Sequence, residues 1–157
     1  KKNLITKTPT QVSLRKYYDK IVTQFSDSEQ LVVLTLISLP YYEQREYADQ
    51  NQLFKVLSDI SVLLKDKRLP SERIFTFDNN EFIIVSLRME EDEVNALNVE
   101  TRKQLNDIYF MLNGKKHELR YQFASIKLDQ QHPLNFDDVL KKLYRNLETD
   151  LIDEYLL

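Results

Sequence analysis

The sequence of 157 residues contains a single glycine, Gly114, and this scarcity excludes several kinds of nucleotide site. Loops that cradle phosphate groups need glycines, because their backbone N–H groups must approach the anion without a Cβ atom in the way. The chain therefore carries neither a P-loop nor a dinucleotide-binding fingerprint. It also contains no cysteine, which excludes disulfides, thiolate metal sites and cysteine nucleophiles and fits a reducing compartment.

Long apolar runs and an excess of positive charge are missing as well. No apolar run approaches the ~20 residues of a membrane span, and no signal peptide is visible. The net charge of -3 and the pI near 5.5 argue against a nucleic-acid partner. The two histidines, His117 and His132, are predicted to be exposed or capping residues. We predict no metal ion and no cofactor.

The chain has enough apolar residues for one core. Hydrophobic residues make up 42% of the sequence, and no proline-rich or serine-rich linker divides it. We therefore predict a single domain over residues 1–157. Because the sequence begins with Lys1 and not with Met, we expect it to be a fragment of a longer protein.

The stretch Arg73–Leu87 predicts a β-hairpin. Two runs of strand-forming residues flank the triplet Asp78-Asn79-Asn80. Asp and Asn tolerate the left-handed backbone conformation, so the tip of this hairpin can close without glycine.

Apolar periodicity predicts the remaining elements. Leu31–Leu39 is a nearly continuous apolar run, typical of a strand buried on both faces. The other predicted elements are a helix after Thr10, a helix over Glu43–Lys65, a helix from Val94 to a C-cap at Asn113-Gly114, a strand over 118–128 and a final helix after Asn135. This order (βαββαβ) predicts an α+β, ferredoxin-like fold with a mainly antiparallel sheet and helices on one side of it.

The hairpin sequence also resembles a known signature. Asp78-Asn79-Asn80-Glu81-Phe82 stands where diguanylate cyclases have GGDEF, and its last two residues match. Residues 7–18 (KTPTQVSLRKYY) resemble the family's DxLTGLxNR-like segment, residues 38–43 (SLPYYE) stand at its DxDxFK, and Ser125-Ile126-Lys127 stands at its SIG. The resemblance covers nearly the whole chain and implies the palm-type GGDEF fold.

The departures from the family imply a loss of catalysis. Its cyclases hold two Mg²⁺ ions with acidic residues at the end of the first strand and at the signature turn. The matching positions here are Ser38, Leu39 and Asn80, and only Glu81 remains acidic. The resemblance therefore implies that the domain is not an enzyme and makes no cyclic di-GMP. Glu81 is then interpreted as a solvent-facing residue of the hairpin.

A degenerate member of the family could still bind cyclic di-GMP through an RxxD motif upstream of the hairpin, where an arginine fork grips the ligand. This chain has Arg68 and Glu72 there, with one residue too many between them and Glu in place of Asp. Arg73 and Arg102 are further candidate ligand-binding residues. The alternative interpretation is that all of these are ordinary solvated charges.

Three functions therefore compete. The favoured one is a catalytically inactive GGDEF-like regulatory module that acts through contacts with a protein partner. The resemblance suggests a cytosolic domain in a membrane-associated regulator of exopolysaccharide or cell-envelope synthesis, with membrane attachment only through parts of the parent protein outside this sequence. The second is a cyclic di-GMP receptor that uses Arg68, Glu72 and Arg102. The third, ranked last, is an active cyclase that uses Glu81.

Overall fold

The computed structural model describes residues 2, 8–25, 31–39, 50–78, 80–112, 114–129 and 132–156. Helices and strands follow one another along these residues as an α+β arrangement. The helices are α1 (Gln11–Phe25), α2 (Gln50–Lys67), α3 (Glu91–Leu105) and α4 (Phe136–Leu156). The strands are β1 (Val32–Ser38), β2 (Arg73–Phe77), β3 (Glu81–Leu87), β4 (Tyr109–Leu112), β5 (Lys115–Glu118) and β6 (Gln122–Lys127).

The main sheet has the strand order β2-β3-β1-β6, and every neighbouring pair is antiparallel. The predicted central strand is confirmed, because β1 lies between two partners and all 7 of its residues are buried. Leu34 at its middle faces Val85 of β3 on one side and Ile126 of β6 on the other. The apolar run of the sequence is thus explained by burial on both faces and both edges.

Helices cover both faces of this sheet, so the prediction of helices on one side was wrong. Apolar side chains of α1 and α4 join one core cluster with Leu34 and Ile83, whereas α2 contributes to a second cluster with Ile84 and Phe123. Ile83 and Ile84 point to opposite faces because side chains alternate along a strand. The ferredoxin-like order accounts for α2 and α3, while α1 and α4 lie outside that order and bury the second face.

The predicted hairpin is confirmed. β2 and β3 are antiparallel, with Arg73 opposite Val85 and Phe77 opposite Glu81. Asp78 opens the turn with φ of 49°, a left-handed conformation that aspartate tolerates. The side chain and backbone of Asn79 lie outside the described residues.

The region after α3 differs from the prediction. The helix ends at Leu105, and the following residues form the two-stranded sheet of β4 and β5 in place of a longer helix. Gly114 adopts φ of 76° in the turn between these strands and is not a helix C-cap. The spacing of Leu105, Ile108 and Leu112 suits a helix by coincidence, whereas Tyr109, Phe110 and Met111 alternate between exposed and buried as a strand does. The strand predicted over 118–128 is the shorter β6, preceded by β5.

The other predicted helices are confirmed within the described residues. The amide of Leu14 donates to the carbonyl of Thr10, which places Thr10 at the start of α1. Asn135 caps α4, since its side-chain oxygen accepts from the amide of Asp138 at 2.9 Å. Helix α2 runs two residues beyond its predicted end at Lys65, and its predicted first residues, 43–49, lie outside the described part. No helix in the described part is both long enough and apolar enough to span a bilayer.

Candidate functional site

The signature turn is attached to the end of β1. The amide of Leu39 donates to the carbonyl of Asn80, and the side-chain Nδ2 of Asn80 donates to the carbonyl of Leu39, both at 3.0 Å. Asn80 is buried, with 2% of its surface exposed. At the same level of the sheet, Ser38 lies between Glu81 of β3 and Gln122 of β6. The third residue of the signature is therefore used to join two segments of backbone.

Glu81 is buried, so its interpretation as a solvent-facing residue was wrong. Only 5% of its surface is exposed, and its Oε1 accepts a hydrogen bond of 2.6 Å from the hydroxyl of Tyr144 on α4. The side chain lies on the face of the sheet covered by α1 and α4, the same face as Ile83. Tyr144 was missed from the sequence, because nothing local indicates that its hydroxyl crosses to the hairpin.

The chemistry available at this turn is limited. Ser38 offers a hydroxyl, Asn80 an amide and Glu81 one carboxylate, and the last two are already hydrogen-bonded within the protein. Among the described residues, no group of three or more His, Cys, Asp or Glu side chains could hold a metal ion. Residues 40–43, the rest of the segment that resembles DxDxFK, lie outside the described part.

The second candidate site, at Arg68 and Glu72, is a buried ion pair. The guanidinium Nε and Nη2 of Arg68 donate to Oε1 and Oε2 of Glu72 at 3.1 and 2.7 Å. Arg68 exposes 1% of its side chain and Glu72 exposes 0%. The carboxylate also accepts from the backbone amide of Leu69 at 3.0 Å and from the hydroxyl of Ser86 at 2.6 Å. A fork of two parallel bonds is the strongest geometry available to such a pair.

The remaining nitrogen of this guanidinium bonds to helix α3. Nη1 of Arg68 donates to the side-chain oxygens of Asn98 and Thr101 at 2.8 and 3.2 Å. Asn98 in turn donates to the hydroxyl of Ser125, which lies 2.9 Å from the hydroxyl of Thr35. This chain of hydrogen bonds connects the loop after α2, helix α3 and strands β1 and β6. It satisfies the side-chain polar groups of Asn98 and Thr101, which the packing of α3 on the sheet buries.

The interpretation of Arg68 and Glu72 as solvated charges was wrong, because both side chains are buried. In this conformation their polar atoms are bonded inside the protein, and ligand binding by this pair stays a prediction. A signal for this arrangement exists in α3. Asn98 and Thr101 stand between Val94 and Leu105 on the buried side of that helix. Polar residues on a buried stripe indicate a buried polar partner.

Arg73 and Arg102 lie on opposite sides of the molecule. The Arg73 guanidinium lies 5.1 Å from the ring centre of Tyr17, on the face covered by α1 and α4. The Arg102 guanidinium lies 4.6 Å from the ring centre of Phe123, on the other face. β2 and β6, which carry Arg73 and Phe123, are the two edges of the sheet, three inter-strand spacings or about 14 Å apart. The structure does not bring these arginines together.

Burial changes the acidity of two tyrosines of α1, Tyr17 and Tyr18. It raises the pKa of the Tyr17 phenol above its ordinary value, and the nearby Arg73 charge opposes this rise. Burial also raises the pKa of Tyr18, with a further contribution from the negative charge of Asp19. The hydroxyl of Tyr18 donates to the carbonyl of Leu134. Both histidines are exposed, and His132 lies 3.5 Å from Asp129.

Sequence and structure comparisons give different results for this chain. No protein-family sequence model and no curated protein sequence matches it. Its structure is similar to the GGDEF domain of FimX from Pseudomonas aeruginosa, with a TM-score of 0.81 and 15% identity over 94% of this chain and 91% of that one. It is also similar to the GGDEF domain of DgcB from Caulobacter crescentus, solved in complex with c-di-GMP, with a TM-score of 0.80 and 10% identity over 97% and 90% of the two chains.

A third similar structure is a diguanylate cyclase with a protein bound to it. SiaD from Pseudomonas aeruginosa, solved in complex with its activator SiaC, gives a TM-score of 0.82 at 9% identity. The match covers 94% of this chain and 56% of SiaD, so this chain spans little more than half of that protein's length. Three GGDEF or diguanylate cyclase structures are thus matched over nearly the whole of this chain. The chain has the fold of GGDEF domains, an α+β fold with a central antiparallel sheet.

Proposed function

We propose that this chain is a regulatory module of cyclic di-GMP signalling that is catalytically inactive and acts through contact with a protein partner. The observation that carries the proposal is the internal use of the groups at both family sites. Asn80 and Glu81 are bonded to Leu39 and Tyr144, and Arg68 and Glu72 are bonded to each other. Groups bonded in this way stabilise the fold, and they leave few free donors and acceptors for a ligand.

The residues at the metal positions do not fit two Mg²⁺ ions. Mg²⁺ is held by carboxylate and phosphate oxygens, and two ions need several carboxylates to balance their charge. Ser38, Leu39 and Asn80 supply none, and Glu81 alone supplies one. The Nδ2 group of Asn80 is a donor, and it occupies the carbonyl of Leu39 at 3.0 Å. We derive no metal-dependent step for this chain.

The receptor hypothesis has less support. It needs arginines from two elements that converge on one ligand, because cyclic di-GMP carries phosphate charges that must be neutralised. The guanidinium of Arg68 is paired with the carboxylate of Glu72, while Arg73 and Arg102 lie on opposite faces of the sheet. The GGDEF domain of DgcB, which has a similar structure, was solved in complex with c-di-GMP. Calorimetric titration with cyclic di-GMP therefore tests the receptor hypothesis for this chain.

A protein partner is consistent with the known complex of SiaD with its activator SiaC, in which a protein of this fold contacts another protein. The described surface also exposes several large apolar side chains that are available for such a contact. They are Val12, Phe54, Val62, Leu69, Val99, Tyr109, Met111 and Leu134. Placement in a membrane-associated regulator of exopolysaccharide or cell-envelope synthesis rests on the resemblance to degenerate members of the family.

The test of inactivity is a product assay. Purified protein is incubated with GTP and either Mg²⁺ or Mn²⁺, cyclic di-GMP is measured by mass spectrometry, and SiaD serves as the positive control. We expect no product from this chain. We also expect none after Asp78-Asn79-Asn80 is converted to Gly-Gly-Asp, because the carboxylates of the first-strand positions are still missing. Turnover that disappears in Glu81→Gln would contradict the proposal.

A further inference from the structure

A cavity of about 540 Å³ lies at the end of the sheet opposite the signature turn. It is bounded by α1, by the C-terminal end of β6, by residues 128–129 and 132–134, and by α4. Val32, at the start of β1, forms part of its wall. The signature turn connects β2 to β3 and lies at the other end of the sheet. Its size falls within the range of about 300–1,000 Å³ that is typical of small-molecule sites.

The floor of this cavity is apolar. Ile21 and Val139 are buried residues of α1 and α4, and Ile126 packs against the same core cluster from β6. Tyr18 contributes its ring, because its hydroxyl is occupied by the carbonyl of Leu134. Hydrocarbon placed against such a floor leaves no polar group of the floor without a partner.

The rim carries positive charge. Lys127 and Lys142 both line the cavity and are exposed, and neither has an acidic partner within the part of the chain that the structure describes. The acidic residue of the rim, Asp129, lies 3.5 Å from His132, which also lines the cavity. On α4 the neighbouring Asp138 faces Lys141 at 3.9 Å, so it is not paired with Lys142. An apolar floor beneath two lysines matches a ligand with an apolar body and one anionic end.

We propose that this cavity binds an amphiphilic anion, namely an aliphatic carboxylate. The chain packs against the apolar floor, and the carboxylate lies at the rim between Lys127 and Lys142. This site is independent of the signature turn and of the Arg68–Glu72 pair. A negative binding result at this cavity would therefore have no bearing on the proposed absence of cyclase activity.

The experiment is calorimetric titration of the folded protein with decanoate below its micellar concentration, and with decanol as an uncharged ligand of equal chain length. The variant is Lys142→Glu. The matched control is Lys141→Glu, which makes the same charge change one residue away on α4 but outside the cavity lining. Circular dichroism checks that both variants are folded.

We expect saturable binding of decanoate that weakens by about tenfold or more in Lys142→Glu and by less than about twofold in Lys141→Glu, since a lost charge-assisted bond changes affinity by that order. Binding of decanol should change by less than about twofold in either variant, because it carries no charge. In a second variant, Val22→Trp, the indole should fill the space beside α1 and weaken both ligands.

Three results would overturn the proposal. One is the absence of saturable decanoate binding up to about 1 mM, a concentration that corresponds to a very weak site. Another is equal weakening by Lys142→Glu and Lys141→Glu, which would indicate a general effect of charge. The third is unchanged affinity in Val22→Trp, which would locate the ligand elsewhere.

Discussion

Truncation of Arg68 should destabilise the domain far more than truncation of a ligand-gripping arginine would. Arg68→Ala removes four hydrogen bonds, to Glu72, Asn98 and Thr101. Among the described residues, it leaves the carboxylate of Glu72, which exposes 0% of its side chain, with only the amide of Leu69 and the hydroxyl of Ser86 as partners. Breaking a buried ion pair from one side costs about 3–5 kcal/mol, because an uncompensated charge remains inside the protein.

That loss is a large fraction of the free energy of unfolding of an ordinary domain, about 5–15 kcal/mol. It is measured by urea denaturation followed by circular dichroism, with the midpoint and the slope compared between variants. Lys103→Ala is the matched control, since its partner Glu100 lies at 3.3 Å on the surface and exposed pairs contribute about 0–1 kcal/mol. The double variant Arg68→Met/Glu72→Met should recover part of the loss, because no unpaired charge is left behind.

A loss below about 1 kcal/mol in Arg68→Ala would refute this reasoning, because a buried carboxylate left without its guanidinium partner costs more than that. So would a double variant that is less stable than Arg68→Ala alone. A loss that small would mean that Arg68 faces solvent, and the hypothesis of a ligand-binding arginine would regain its basis.

Three further predictions concern the core, alkaline pH and a turn. Leu36→Asp should unfold the domain or cost several kcal/mol, since Leu36 exposes 0% of its surface at the centre of the sheet, and an unchanged melting temperature would contradict its position. The contribution of Tyr18 to stability should be constant below about pH 10 and should fall above it. The reason is that burial raises the pKa of the Tyr18 phenol in the folded protein, so this phenol ionises at a lower pH in the unfolded chain. Urea titrations at about pH 8 and pH 11 should therefore show a smaller alkaline loss of stability in Tyr18→Phe. Gly114→Ala should cost about 1 kcal/mol through its φ of 76° alone, because nothing lies within 4 Å of an added Cβ, and Gly114→Asn should cost less in the same assay.

Much of the fold could be predicted because its strongest signals are local. The apolar run of β1 predicts a buried strand. Two strand-forming runs around residues that tolerate a left-handed turn predict the hairpin. The short sheet of β4 and β5 could not be separated from α3, since Leu105 and Ile108 also satisfy helical spacing. The coverage of both faces of the sheet depends on where α1 and α4 pack, which no local pattern records.

The candidate sites were harder to predict, because they depend on partners distant in sequence. The burial of Glu81 follows from the approach of Tyr144, which is 63 residues away. The pairing of Arg68 with Glu72 is local, but its burial requires α3 to bring Asn98 against the guanidinium, across 30 residues. The polar residues on the buried stripe of α3 are the one sequence signal that indicates this network.

Calorimetric titration with cyclic di-GMP tests most directly whether the groups at the family's sites are used inside the protein. We expect no site tighter than about 10 µM, which corresponds to about 7 kcal/mol of binding free energy. We expect the same result for Arg73→Ala and Arg102→Ala, since these arginines lie on opposite faces of the sheet. A submicromolar site that is lost in Arg102→Ala would contradict this internal use and would establish the chain as a cyclic di-GMP receptor.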